Sequence, residues 1–178
     1  VQVTDQRPGS PDGADTLTGV EFLKFTDQTL SLGDVGGTLF GTSGDDSIVG
    51  GANADTISGL AGRDTLEGAG GDDRLLGGAE RDTLRGQGGN DTLLGEDGAD
   101  LLVGGGGDDV LDGGAGADRA SFYGGSSVNV SLLLQNQAQN TGQGSDTLIN
   151  IQHLTGTAGN DTLVGDGAGN WLWGTEGT

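Results

Sequence analysis

An all-β solenoid of short, stacked strands is the architecture this sequence implies, and three periodic positions imply it. From Gly41 a glycine recurs every nine residues, at Gly41, Gly50, Gly59, Gly68, Gly77, Gly86, Gly95, Gly104 and Gly113. An aspartate recurs with the same period, at Asp46, Asp55, Asp64, Asp73, Asp82, Asp91, Asp100, Asp109 and Asp118. Two residues after each aspartate stands an aliphatic: Ile48, Ile57, Leu66, Leu75, Leu84, Leu93, Leu102, Leu111 and then the smaller Ala120. Nine nonapeptides therefore run from 41 to 121 without an insertion. Self-similarity at a fixed short period is the signature of a stacked-repeat fold.

Each unit divides into a corner and a strand. Its first six residues, as in Gly104-Gly105-Gly106-Gly107-Asp108-Asp109, are turn chemistry, with glycine supplying positive φ. Its last three, as in Thr92-Leu93-Leu94, form a strand whose middle residue faces inward. A three-residue strand is too short to stand alone, so equivalent strands must pair in register. Two units close one coil of eighteen residues, and the inward aliphatics of two facing sheets form a core one side chain deep.

Composition explains why this chain needs more than that core. Its 178 residues include 40 glycines, with 7 Lys and Arg against 27 Asp and Glu, a net charge of −20. One domain fits that length. Leu, Ile, Val and Phe are too sparse to offset the ordering entropy of so much glycine through apolar burial alone. The charge excludes nucleic acid as a partner, because phosphate binding needs a basic surface. No apolar run approaches the length of a membrane span; the longest cluster, 128–134, contains Asn129 and Ser131. With no cysteine there is no disulfide, thiolate metal site or thiol nucleophile, which suits an exported protein. The chain has no Met and no signal-like leader, and reads as an excised part of something larger.

The acidic residues fall where stacking brings them together. Pairing of coils places an aspartate above an aspartate at about 4.8 Å, and bare carboxylates at that spacing repel. A bound cation makes the ladder favourable. Carboxylate and carbonyl oxygens, without His or Cys, are hard ligands that suit calcium; magnesium dehydrates more reluctantly and takes fewer protein ligands.

The nonapeptide resembles Gly-Gly-x-Gly-x-Asp-x-aliphatic-x of the RTX (hemolysin-type calcium-binding) family, strongly over 41–121 and again in a shorter C-terminal stretch. That resemblance implies a right-handed parallel β-roll, a calcium-bound solenoid, with each ion between one turn and the turn two repeats on. Carbonyls of positions two and four and the aspartate of the first turn would bind it. Carbonyls of positions one and three and the aspartate of the second would complete the shell. Carried onto this chain, one edge pairs Asp46/Asp64, Asp64/Asp82, Asp82/Asp100 and Asp100/Asp118. The other pairs Asp55/Asp73, Asp73/Asp91 and Asp91/Asp109, giving about seven calcium ions in all. The implied carbonyl ligands are Gly44, Asn53, Gly62, Gly71, Glu80, Gly89 and Gly98 at position four. At position one they are Gly59, Gly68, Gly77, Gly86, Gly95, Gly104 and Gly113. Asp161 is a further candidate ligand in a resumed repeat. Asn53 and Glu80 depart from glycine at position four, and Glu tolerates left-handed backbone poorly, so the Asp82/Asp100 site is the irregular one. Position two is looser still (Thr42, Leu60, Ala69, Gln87, Glu96).

The flanks complete the expected organisation: 1–40 an N-terminal linker and capping segment, 41–121 the roll, 122–155 a non-repeat insertion with lateral strands, and 156–178 resumed, truncated repeats. Within the insertion, 128–134 reads as a strand, 135–145 as a polar loop and 146–154 as a second ordered piece. Asp15-Thr16-Leu17 followed by Val20 and Leu23 matches Asp146-Thr147-Leu148 followed by Ile151 and Leu154. Both read as capping strands at the two ends of the roll, which a solenoid needs. Pro8 and Pro11 mark an entry segment. Gly156, Asp161 and Leu163 resume the repeat, and Asn170 then stands where aspartate belongs.

Nothing in the chain reads as catalytic. His153, the sole histidine, reads as a packed or surface imidazole, and Gly104 to Gly107 lack the Lys-Ser/Thr of a phosphate loop. Neither His-Glu-x-x-His nor Gly-x-Ser-x-Gly occurs. Trp171 and Trp173, two apart, read as an end-capping apolar patch in preference to a ligand platform, and Glu67 beside Arg85 as a surface ion pair. The irregular outward ranks disfavour ice binding. The expectation is a non-enzymatic calcium-binding module of a secreted, extracellular bacterial protein. By resemblance to the family, it would leave the cell unfolded by type I secretion and fold in external calcium. The alternative is an accessory module for polysaccharide binding or surface adhesion, attached to an enzyme or large adhesin. Its partners would be an anionic polysaccharide or another domain of the parent protein.

Overall fold

The structure, a computed structural model, describes residues 2–4, 14–16, 22–24, 29–31, 36–124 and 126–175. Strands come alternately to two facing parallel sheets, and the partner of each repeat strand lies one coil away. One sheet runs Thr29–Ser31, Ser47–Val49, Thr65–Gly70, Thr83–Gly88, Leu101–Gly106, Arg119–Ser121, His153–Thr155 and Trp171–Trp173. The other runs Phe22–Lys24, Thr38–Phe40, Thr56–Ala61, Arg74–Ala79, Thr92–Gly98, Val110–Asp112, Ser145–Ile149 and Ala138–Asn140. Register follows the repeat: Leu66 pairs with Leu84 and Leu84 with Leu102, while Ile57 pairs with Leu75 and Leu75 with Leu93.

The inward rank is the core. Leu39, Ile48, Ile57, Leu66, Leu75, Leu84, Leu93, Leu102, Leu111, Ala120, Leu148 and Leu154 are all buried, one from each half-coil. Burying each leucine stabilises the fold by about 2 kcal/mol, and Phe122, Val128, Val130, Leu132 and Ile151 of the insertion join the same buried cluster.

Two features of the ladder differ from the three-residue expectation. The central strands are six or seven residues long, as in Thr83–Gly88 and Thr92–Gly98. Pairing continues around the corner, for example Gln87 with Gly105 and Gly88 with Gly106, because each turn stacks on a turn of the same length. The parallel ladder also starts before Gly41: Phe22–Lys24 pairs with Thr38–Phe40, and Thr29–Ser31 with Ser47–Val49. Gln2–Thr4 and Ala14–Thr16 form an antiparallel pair. Pro8, Pro11, Leu17 and Val20 lie outside the described residues.

The insertion also differs in detail. The strand expected over 128–134 is confined to Asn129–Ser131, and Leu132–Leu134 turn as a 3-10 helix started by the Ser131 hydroxyl. The polar segment contains the strand Ala138–Asn140, which runs antiparallel to Ser145–Ile149 at the sheet edge. That reversal closes the edge to another parallel coil, so Thr162–Val164 pairs with Asn129–Ser131 in a small sheet of its own. At the other sheet's edge Trp171–Trp173 is exposed throughout. The tryptophans do not cap the roll as expected: they stand outward, and Leu172, which continues the inward rank beyond Leu154, remains 42% exposed.

Candidate metal centre in the stacked turns

The corners at 59–64, 68–73, 77–82, 86–91, 104–109 and 113–118 alternate left-handed residues at positions two and four. At position four, Gly62, Gly71, Gly89 and Gly107 have φ of 105, 100, 124 and 134°. At position two, Leu60, Ala69, Gln87 and Glu96 take φ of 81, 80, 79 and 71° although none is glycine. Such a conformation costs a residue with a Cβ roughly 1–2 kcal/mol, so stacking imposes it. Glu80 also adopts it, at 77°. Its irregularity has a local explanation, since the Glu80 carboxylate accepts the Gly62 N–H of the preceding coil at 2.6 Å.

This backbone aims carbonyls into the gaps between turns. A Cβ added to Gly78 would collide with the Leu60 carbonyl oxygen, and one added to Gly98 with that of Glu80. A Cβ on Gly59 would meet both the Gly77 carbonyl and Asp64 Oδ2. Position-two and position-four carbonyls thus face the following turn, and position-one carbonyls face the preceding one.

The aspartates close the same gaps. Asp64 Oδ1 accepts the Asp46 N–H at 2.8 Å, Asp82 that of Asp64 at 2.8 Å, Asp100 that of Asp82 at 2.8 Å and Asp118 that of Asp100 at 2.9 Å. On the other edge Asp73, Asp91 and Asp109 accept from Asp55, Asp73 and Asp91 at 2.8, 2.9 and 2.9 Å. Every one of these carboxyls is buried. The second oxygen is different: Oδ2 of Asp64, Asp73, Asp82, Asp91, Asp100, Asp109 and Asp118 is buried with no hydrogen-bond partner. Buried polar atoms are nearly always paired, so these recurring unpaired oxygens call for a ligand.

Electrostatics point the same way. Burial, reinforced by neighbouring carboxylates, pushes Asp64 and Asp73 up to about 6 and Asp82 and Asp109 up to about 7. Burial raises Asp100 to about 6, and Asp91 and Asp118 are raised as well. The charged forms are costly because burial and like charges dominate; of these carboxyls Asp100 alone is eased by a nearby cation, Arg81.

The terminal aspartates are satisfied otherwise. Asp46 Oδ2 accepts the Thr42 N–H at 2.6 Å and its hydroxyl at 3.0 Å, and Asp55 Oδ2 accepts the Gly51 N–H at 2.7 Å. Asp161 lies outside both ladders, where it accepts from the Val128 N–H at 3.0 Å and the Thr157 N–H at 2.7 Å. Two residues that the periodicity does not mark end the ladders. Asp146 Oδ1 takes the Asp109 N–H at 3.0 Å across the insertion, and its Oδ2 takes the Thr141 hydroxyl. Gln152 takes the Asp118 N–H at 2.6 Å. Asp146 was recoverable from its tripeptide, since Asp146-Thr147-Leu148 repeats Asp64-Thr65-Leu66. Gln152 carries no such signal.

Among the described residues no three carboxylate, imidazole or thiol groups converge on one point. A cation in these gaps would therefore need backbone carbonyls, which is the donor set that positions one, two and four present. All-oxygen coordination of this kind fits calcium.

A parallel roll whose corners bury unpartnered carboxylates between carbonyls belongs to the class of cation-stabilised solenoids. A family model for the RTX calcium-binding nonapeptide repeat, 4 copies long, matches residues 33–66, 67–102, 85–120, 94–127 and 152–178. Those matches cover well over half of the chain, which belongs to the RTX calcium-binding repeat family. Its repeats bind calcium and form a structural module. No curated protein matches the chain.

Proposed function

We propose that calcium is the missing partner of the orphaned carboxylate oxygens and that its binding folds the roll. The observation that carries this reading is a coincidence of position. The seven orphans, Asp64, Asp73, Asp82, Asp91, Asp100, Asp109 and Asp118, are the second aspartates of the seven pairs that the repeat defines. One ion per gap, held by the paired aspartates with the carbonyls of Gly44, Asn53, Gly62, Gly71, Glu80, Gly89 and Gly98 below and the position-one glycines above, would bring the net charge from −20 to about −6. Without the ions, the thin core must bury seven unpartnered carboxylate oxygens. Binding energy then becomes folding energy.

Family membership supports an extracellular setting, since RTX repeats typically occur in secreted proteins. Low calcium inside a bacterial cell would keep the chain unfolded for type I secretion, and external calcium would then fold it. Catalysis would lie outside this module, and an anionic polysaccharide or a neighbouring domain of the parent protein would be its further partner. Far-UV circular dichroism during a calcium titration of the EDTA-stripped chain tests the central step, with magnesium as control. A cooperative coil-to-β transition specific to calcium is expected. Full β signal in EDTA, unchanged by calcium, would overturn the proposal.

A further inference from the structure

One groove stands apart from the acidic corners. It has a volume of about 420 Å³ on the outer face of the sheet ending in Trp171–Trp173, and is lined by Arg81, Arg119, His153, Trp171 and Trp173, with Asp100 its one acidic residue. The chain has only 2 tryptophans, 1 histidine and 7 Lys and Arg, so this groove gathers both indoles, the imidazole and two of the cations. Trp171 and Trp173 are 74% and 64% exposed. His153 stacks on Trp171 with ring centroids 5.5 Å apart, and its Nδ1 accepts the Trp171 N–H at 3.1 Å. In the neutral ring that leaves the proton on Nε2 as a donor. Neither Arg81 nor Arg119 forms an ion pair among the described residues.

Resting on the calcium-folded roll and the anionic-polysaccharide partner proposed above, we propose that this groove binds a carboxylated sugar chain. Indole faces take the apolar face of a pyranose ring, while guanidinium forks pair with carboxylates bidentately. A wholly apolar partner would strand the Arg119 guanidinium without a counter-charge and leave Arg81 only the through-space attraction of Asp100. Arg119, His153 and Trp171 stand on neighbouring strands in one register row, which sets Arg119 and Trp171 about 10 Å apart along the roll axis. That span takes more than one sugar ring, so the ligand is a linear chain.

Both tryptophans lie in the groove, so intrinsic fluorescence reports on it directly. The full chain, in saturating calcium, is titrated with a 1,4-linked hexuronate tetrasaccharide and with its carboxyl-reduced, neutral counterpart. Circular dichroism on the same samples separates a failure to fold from a failure to bind. The acidic chain is expected to shift the fluorescence and to bind at least tenfold more tightly than the neutral one. Trp171→Ala and Arg119→Gln, both on the outer face, should each weaken it tenfold or more without changing the dichroism. Three results would overturn the proposal: no binding by a folded roll, equal binding of the neutral chain, or unchanged binding in Trp171→Ala/Arg119→Gln, which would mean calcium bridging elsewhere. Tighter binding of a nucleoside monophosphate would overturn the sugar assignment.

Discussion

On the edge formed by turns 41–46, 59–64, 77–82, 95–100 and 113–118, the aspartate ladder ends on the neutral amide of Gln152. On the opposite edge it ends on Asp146, whose second oxygen a threonine hydroxyl satisfies. The edges differ again at position five. Asp72 accepts the Asn90 N–H at 2.7 Å, Asn90 that of Asp108 at 2.8 Å and Asp108 that of Ser145 at 2.8 Å, an exposed second ladder on the Asp146 edge. On the Gln152 edge Asp45 is the only position-five acceptor among the described residues, taking the Arg63 N–H at 2.9 Å. Beyond it Arg81, Ala99 and Ala117 carry no side-chain acceptor. One edge thus has a continuous metal-free ladder that holds coil register, whereas the other has only the isolated cross-coil bonds of Asp45 with Arg63 and of Glu80 with Gly62 and beyond the turn 77–82 relies on its buried carboxylates and whatever they bind.

That asymmetry is broken most severely by Asp82→Ala. The substitution deletes the acceptor of the Asp64 N–H and removes an oxygen from two adjacent implied ions on the edge without a second ladder. Calcium titration calorimetry should show two ions lost there and none on the other edge, with the calcium midpoint for folding raised several-fold. Asp91→Ala, whose neighbours keep the Asp72–Asn90–Asp108 ladder, should raise that midpoint less. Asp97→Ala, which changes an exposed side chain outside the ligand pattern and keeps the backbone carbonyl, should leave it unchanged. Equal losses on both edges in Asp82→Ala would contradict the pairing of each turn with the turn two repeats on.

Acidification comes next in size, and its sign depends on calcium. Burial raises Asp64, Asp73 and Asp100 to about 6 and Asp82 and Asp109 to about 7, whereas an unfolded aspartate titrates near ~3.9. The folded roll therefore holds protons that the unfolded chain releases. Their stabilising contribution is complete below about pH 4 and is lost as pH rises through 6 to 7. In EDTA, lowering the pH from neutral to about 5 should increase β structure. With calcium present the same protons compete with the ion, and the calcium midpoint should rise as pH falls below 7. A dichroism signal in EDTA that is flat across this range would count against burial of ionisable aspartates.

The roll was legible because stacking turns a one-dimensional period into three-dimensional contacts. Ile57, Leu75 and Leu93 are adjacent in space for the same reason that they are eighteen residues apart in sequence. The aspartate ladder followed by the same logic. What escaped lies where the period is interrupted or carried by backbone alone. The left-handed Leu60, Ala69, Gln87 and Glu96 are forced by turns above and below, against their own preference. The strand Ala138–Asn140 has a polar, short sequence, and only the exposed edge of Ser145–Ile149 makes it pair. Gln152 substitutes for an aspartate through its amide oxygen, at a spacing the insertion has shifted from 18 residues to 34. The groove at Trp171 is equally invisible to periodicity, since Arg81 and Arg119 meet the tryptophans only through coil stacking.

The ladder ends give smaller effects that sharpen the same contrast. Thr141→Val would leave Asp146 Oδ2 buried without its donor, a loss of about 1–3 kcal/mol. Gln152→Ala would leave the Asp118 N–H unpaired instead, at about 1 kcal/mol. Added calcium should rescue Thr141→Val in part, because its orphaned carboxylate oxygen matches those of the seven inner aspartates. It should not rescue Gln152→Ala, which adds no anionic ligand. Urea unfolding of both variants at low and high calcium separates these outcomes. Equal rescue would mean that the ion stabilises the roll globally and does not act on the carboxylate it meets. The smallest effect belongs to the Arg85–Glu67 pair, 3.3 Å apart and about one-third exposed on both sides. Arg85→Ala should cost no more than about 1 kcal/mol, and the cost should vanish in 1 M salt, where screening reaches about 3 Å. It lies on the outer face and has no part in either ladder, so its calcium midpoint should stay within error of the parent's. A clear shift would show that the outer ion pair, too, sets the spacing of the turns.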